Sequence, residues 1–425
     1  MTAAPPAGGV LDPGVWTRRS RRRWLAGLVI ISVALLSAVV ALLVVRSQTQ
    51  RAQATTNRTT AHHHTGTTVR GSPAFAVGAL VAASLLYSDP VFVNSTNGFA
   101  LARGTGGAAS ERLATSADAG ATWHVAGAPF PVAGDFTTLL FTDADHGYVF
   151  GPAGLIVTTD GGAHWTEAPL TGQVVRVLPA YGTVWAVGLA CQSAPGLASN
   201  CPVTVAISHD QGEKWSYTRA APPVGEAPSG GAGLGLVDAT NSYVVTWGAD
   251  TSGLAVTFDS GEHWTKLDDP CSVTGWSIVD MVPLLDGDMW LICGGPPTLE
   301  GETKSVYRTS DGGHHWTLVS STGLTPAGAL PTGSIPYSGL VSQLATVDPL
   351  IAWLGVGGVG VLQTRDGGRH WFEVSGIAGA ERAAYMGVTF IRSPNGQIDD
   401  GWALGFGIGL WRTTDAVHWR PAATG

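Results

Sequence analysis

The stretch HGYVFGPAGLIVTTDGGAHW, residues 146–165, holds the two signals that decide the fold. Tyr148 stands in a short apolar run, and seventeen residues later Trp165 closes the segment TTDGGAHW. In that segment Asp160 precedes the Trp by five residues and Gly162 follows the Asp by two. An Asp carboxylate at this spacing can accept backbone N–H bonds from its own turn. The Gly supplies the positive φ such a turn needs. The Trp then folds back as an apolar wedge whose indole N–H seeks an acceptor. The stretch therefore reads as a strand, a self-capped hairpin turn and the seal of one repeat against its neighbour.

The pair of signals occurs seven times. The turn motif pairs Asp118 with Trp123, Asp160 with Trp165, Asp210 with Trp215, Asp259 with Trp264, Asp311 with Trp316, Asp366 with Trp371 and Asp415 with Trp419. The aromatic strand markers are Phe99, Tyr148, Trp185, Tyr243, Trp290, Trp353 and Trp402. Successive motif Trp residues lie 42 to 55 residues apart, so each unit is one supersecondary module that must bury its faces against the next. Composition agrees: 58 Gly and 16 Trp with only 13% charged residues suit short strands and tight turns, not a helical bundle.

These motifs resemble Asp-box, or bacterial neuraminidase, repeats, and the resemblance covers roughly residues 90–420. The combination of aromatic strand and T-x-D-G-G-x-x-W turn is most similar to the photosystem II assembly/stability factor propellers. The resemblance implies an all-β, seven-bladed β-propeller over residues 73–425, one four-stranded blade per repeat, with each box between third and fourth strands. Seven blades lie within the usual range of about 4–8. Two departures stand out. His replaces the usual Thr before Trp in five boxes, and the last box lacks the Gly and is one residue short, which predicts a loosely capped final blade. Few residues follow Trp419, so residues 74–80 are expected to complete the outer strand of blade seven and close the ring.

The N-terminus is a different kind of chain. Residues 24–45 run without a charge. At about 1.5 Å per helical residue they span roughly 33 Å, enough for a hydrocarbon core of about 30 Å. The five Arg between positions 18 and 23 assign residues 1–23 to the cytoplasm and the remainder to the outside, as a single-pass protein of the cell membrane. A cleaved export signal is the alternative, with Ala52-Gln53-Ala54 as processing site, although the apolar run exceeds the usual length of such a signal. Residues 46–72 form a polar linker of disordered composition. The formal charge of -8 disfavours nucleic acid as a partner. It hides a net +8 over residues 1–72 and a net -16 thereafter, which favours a protein partner with a basic patch.

Blades one, three and five carry extra residues between their second and third strands, and long links (220–233 and 321–338) precede blades four and six. In a propeller both loop types emerge opposite the boxes, and loops on a rigid scaffold carry binding, so that face is the candidate site, against the reading of tolerated surface drift. Cys191, Cys201, Cys271 and Cys293 permit three pairings, of which 191–201 and 271–293 would both brace that face. His164, His263, His315, His370 and His418 suggest a metal set, but each belongs to a different blade, so shared ligation is not expected. No cofactor or metal site is assigned.

Sialidases of this fold carry an R-I-P-type motif and an arginine triad. No Arg-x-Pro occurs in the early blades here, and only eleven Arg lie beyond residue 72. A shared fold is no warrant for activity. The sequence is read as a membrane-anchored, monomeric protein-binding scaffold or assembly factor and not as an enzyme. The alternative is a sialidase-like or endoglucanase-like glycosidase, or a glycan-binding propeller.

Overall fold

The computed structural model describes residues 76–422, apart from short stretches at 83–84, 104–110, 132–135, 191–199, 225–226, 229–230, 248–251, 273–274, 299–300, 323, 326–327, 330–334, 347, 384, 393–397 and 406–408. The proposed membrane helix (24–45) and linker (46–72) lie outside the described residues. Among the described residues no helix is long and apolar enough to cross a membrane.

Each repeat folds into one antiparallel sheet whose strands lie side by side in chain order, and seven such sheets make a seven-bladed β-propeller. Blade two shows the pattern: Thr138–Phe141, Gly147–Gly151, Gly154–Thr158 and Thr166–Glu167. Its second and third strands are buried at every position. A continuous apolar run of that length is a strand covered on both faces, and here the flanking blades cover it. The hydrophobic core is correspondingly divided, with one cluster between each adjacent pair of blades.

The strand aromatics reach across these interfaces. Tyr148 donates its hydroxyl to the Gln211 carbonyl of the next box turn at 3.0 Å, and Tyr243 does so to Gly312 at 3.1 Å. Trp353 Nε1 donates to the Ala416 carbonyl. Trp402 Nε1 donates to the Ala119 carbonyl of blade one, joining the last blade to the first. Phe92 stacks on Trp402 at a centroid distance of 3.8 Å in the same interface.

Ring closure differs from the sequence expectation. Leu80–Val81 pairs with Trp123–Ala126 and becomes a fifth, outermost strand of blade one. Blade seven has its own outer strand, Arg420–Pro421, paired with Trp411 and Arg412. The reason is local: the outer edge of blade one is open to pairing, with Val125 exchanging backbone bonds with Gly78 and Ala79. Two residues suffice as an outer strand, as Ser216–Tyr217 and Phe372–Glu373 show elsewhere in the ring. Among the described residues no strand is shared between blades one and seven, and packing and side-chain hydrogen bonds join them.

Short pieces of the elaborations pair among the described residues. Asn200–Cys201, in the blade-three insert, pairs with Ala227–Pro228 in the link to blade four. Leu324–Thr325 and Gly328–Ala329 form a small ribbon in the link to blade six. Cys271 and Cys293 are disulfide-bonded with Cα atoms 5.5 Å apart, tying the link before blade five to that blade's second strand. Cys201 is also disulfide-bonded, while Cys191 lies outside the described residues.

Candidate functional site

The box turns are built from short-range bonds. In blade two Thr158 Oγ1 donates to Asp160 Oδ1 and accepts the Gly162 amide, while Asp160 Oδ1 accepts the His164 amide at 2.8 Å. The equivalent carboxylate bonds hold Asp118 to the Thr122 amide, Asp210 to Lys214, Asp259 to His263, Asp311 to His315 and Asp366 to His370. His164, His263, His315, His370 and His418 each place Nδ1 2.6–2.7 Å from the second oxygen of their own Asp, the place the Thr122 hydroxyl takes at Asp118. The His amides, then the rings, lower the Asp160 and Asp259 carboxyls to about 2. Among the described residues no group of three or more His, Cys, Asp or Glu could hold a metal ion.

The six full-length turns each use two consecutive residues of positive φ, not one. Gly162 (φ 88°) follows Gly161 (φ 71°), but in other boxes the first position is Ala119, Gln211 or Ser260, with φ near 60°. The short final box is capped rather than loose: Asp415 Oδ1 accepts the amides of both Val417 and His418, and Ala416 takes φ 57°. Of the box indoles, Trp123, Trp165, Trp371 and Trp419 are buried, whereas Trp215, Trp264 and Trp316 are only half-buried. The box residues are dispersed one set per blade and form no common site.

What the ring brings together is its central channel, a cavity of about 680 Å³ lined from all seven blades. The pairing of first and second strands skips Val175, Val279 and Ser342 in blades three, five and six. Such bulges re-aim the neighbouring side chains, and here Arg176, Asp280 and Gln343 line the channel beside them. An inner strand has a free edge whose N–H groups need acceptors, and the channel side chains supply them. Asp280 accepts the amides of Met281 at 2.8 Å and of Leu344, in blade six, at 2.9 Å. Gln343 accepts the Val388 amide of blade seven at 2.8 Å. Tyr385, before blade seven, donates to Asp89, before blade one, at 2.8 Å.

Burial governs the electrostatics. It raises the Asp89 carboxyl to about 6, against the lowering effect of the Tyr385 hydrogen bond. It likewise raises Asp280, with Arg176 opposing. Tyr385 is raised by burial and then by the Asp89 charge. At the blade-one side of the channel, Arg103 stacks over Tyr87 at 4.4 Å and pairs with the buried Glu111.

A second construction raises the rim of the face opposite the boxes. Lys304 is fully buried, and its Nζ donates to the carbonyls of Glu302, Pro336, Tyr337, Ser338 and Gly339 at 2.8–3.3 Å. Burial lowers its pKa to about 8, with the Glu302 carboxylate opposing. Glu302 Oε1 accepts the Val341 amide at 2.6 Å, and Tyr337 meets Thr298 through their hydroxyls at 2.9 Å. Thr298, Glu302 and Lys304 of blade five are thus bonded to the end of the link to blade six.

Sequence reasoning missed Arg176, Asp280, Gln343, Asp89, Tyr385 and Lys304. A signal existed for three of them. Arg176, Asp280 and Gln343 are polar residues in apolar runs, nine or ten residues before the strand Trp of their repeats. Lys304 and Tyr385 carry no such mark.

No family model matches the chain, and no curated protein matches it. Solved structures do. "YCF48 bound to D1 peptide" is 18% identical with a TM-score of 0.52, covering 79% of this chain and 96% of that one. YCF48 from Cyanidioschyzon merolae is 16% identical with a TM-score of 0.50, covering 80% and 99%. An ancestral GH74 enzyme is 12% identical with a TM-score of 0.55, covering 82% of this chain and 48% of its own. At these identities the likeness is one of fold. The chain is a seven-bladed β-propeller of the architecture seen in the YCF48 structures.

Proposed function

We propose that this protein is a membrane-anchored, extracytoplasmic propeller that binds a protein or peptide partner as a scaffold or assembly factor for a membrane-associated complex. The observation that carries the reading is the rim around Lys304, where five carbonyls on one ammonium tie Glu302, at the end of the blade-five insert, to Pro336, Tyr337, Ser338 and Gly339, at the end of the following link. Preorganised loops on a rigid body lose little entropy on binding. A YCF48 propeller of the same fold has been solved with a D1 peptide, which supports a peptide or protein partner. The channel carboxylates of Asp89 and Asp280 hold the ring together through Tyr385 and backbone amides, which supports binding over hydrolysis. The test is crosslinking of the full-length protein in native membranes, followed by identification of what is captured. A discrete partner lost when the 295–303 insert is replaced by a bare hairpin supports the reading. Turnover of sialosides or xyloglucan oligomers by the purified protein overturns it in favour of a glycosidase.

A further inference from the structure

Among the described residues that line the channel there is one cation, Arg176, and the ring does not use it. Arg176 is exposed although it lies inside the ring, because it opens onto the channel. Among the described residues its guanidinium has no hydrogen-bond acceptor and no ion-pair partner. Asp280 is near enough for Arg176 to oppose the rise of its carboxyl, yet both Asp280 oxygens are engaged by the Met281 and Leu344 amides. Asp89 accepts the Tyr385 hydroxyl on Oδ2, while its buried Oδ1 packs against Gly387 without a hydrogen-bond partner among the described residues. The Val174/Arg176 register shift places this cation in the channel as a feature of the blade-three backbone.

The surroundings define what the cation would hold. Thr138 of the neighbouring blade lines both sections of the channel together with Arg176, adding a hydroxyl donor. Leu139, Leu234, Met281 and Leu404 give apolar wall, and Trp247 lies over the strand of Gly231 and Gly233, whose missing side chains make room for its ring. A cavity of about 680 Å³ falls in the range that encloses a small organic ligand. The fixed carboxylates of Asp89 and Asp280 oppose a second negative charge on that ligand. A guanidinium fork matches a carboxylate with two parallel hydrogen bonds.

We propose that the central channel is a binding site for a monocarboxylate with an apolar body, its carboxylate held by Arg176 with Thr138 and its body against the channel wall. Two sources supply that chemistry: a free organic acid, or the C-terminal carboxylate of a peptide ending in an apolar residue. The site is separate from the Lys304 rim, so its failure leaves the scaffold reading standing.

The experiment is calorimetric titration of the full-length protein with N-acetyl-L-phenylalanine, with N-acetyl-L-phenylalaninamide, and with a hexapeptide ending in phenylalanine. The acid is expected to bind with one site and the amide at least about tenfold more weakly, since a charged bidentate bond is lost. Arg176→Met should weaken the acid by a similar factor, leave the amide unchanged and keep the thermal midpoint. Arg176→Lys should retain part of the affinity. Tighter binding of the hexapeptide than of the single residue assigns the site to a peptide terminus, and weaker binding assigns it to a free acid. Equal binding of acid and amide by the wild type, or no binding by any of the three, overturns the proposal without reliance on a variant. Unchanged acid affinity in a folded Arg176→Met overturns it as well.

Discussion

Trp402 Nε1 donates to the Ala119 carbonyl at 3.3 Å, so the last blade grips the first by the contact that Trp353 makes to Ala416 between blades six and seven. Ring closure in this propeller is an ordinary inter-blade interface. Its strength resides in side chains, since no strand is shared across it among the described residues.

Trp402 is therefore expected to be the most sensitive indole. It is buried and stacked on Phe92. Trp402→Ala should cost about 3–5 kcal/mol through the cavity it leaves. Tyr148→Phe, which removes only the hydroxyl bond to Gln211 in an interior interface, should cost about 1 kcal/mol. Urea unfolding of both variants checks the ratio; equal losses would show that closure is not special.

The Asp89–Tyr385 bond spans the same junction, and the burial of Asp89 there makes stability fall as pH rises through the mildly acidic range. Burial raises the Asp89 carboxyl from 3.8 to about 6 in the folded protein. The associated stability is fully present below the unfolded value and is lost as pH rises through about 6, a difference of about 3 kcal/mol. Asp89→Asn should abolish this slope and raise the melting temperature at pH 7.5. Thermal scans from pH 4 to pH 8 on both proteins measure it.

The box carboxylates act in the opposite sense and in a lower window. Asp160 and Asp259 are depressed to about 2, first by the His amides. Their contribution is present above the unfolded value near 3.8 and disappears as pH falls through about 2. Asp259→Asn should lower the melting temperature at pH 6 and make no difference at pH 1.5. A variant with the same deficit at both values would show that the charge is irrelevant.

Replacing Lys304 should loosen the rim before it unfolds the ring. Lys304→Met removes the common donor of five carbonyls, of which Tyr337 keeps the Glu302 amide. Leaving buried polar groups unpaired costs about 1–3 kcal/mol each at most, less where water enters. The expected result is rapid proteolysis within residues 322–339 with the remaining propeller intact, read by mass spectrometry of limited digests.

The first turn position offers a stabilising change. Gln211 and Ser260 hold φ of 61° and 58°. A non-glycine residue there costs roughly 1–2 kcal/mol, partly offset by the entropy a Gly would lose. Gln211→Gly and Ser260→Gly should each raise stability by up to about 1 kcal/mol, and denaturant midpoints decide it.

The box turns were legible in the residues alone because their bonds join positions no more than four apart, as Asp160 to His164 shows. The number of blades followed from counting these turns, and the continuous apolar runs between them announced strands buried on both faces. The partner of residues 78–81 was not legible. Two open edges competed for them, and only the folded ring shows that blade one wins while Arg420–Pro421 completes blade seven. The channel was hidden for a related reason. Arg176, Asp280 and Gln343 are polar residues on three repeats, and the bulges at their strands are properties of paired backbones that a single strand cannot display. Sequence therefore determined the repeating unit, whose forces are local. Tertiary structure decided how the ring closes and what its axis presents, because those depend on contacts between residues as distant as Asp89 and Tyr385.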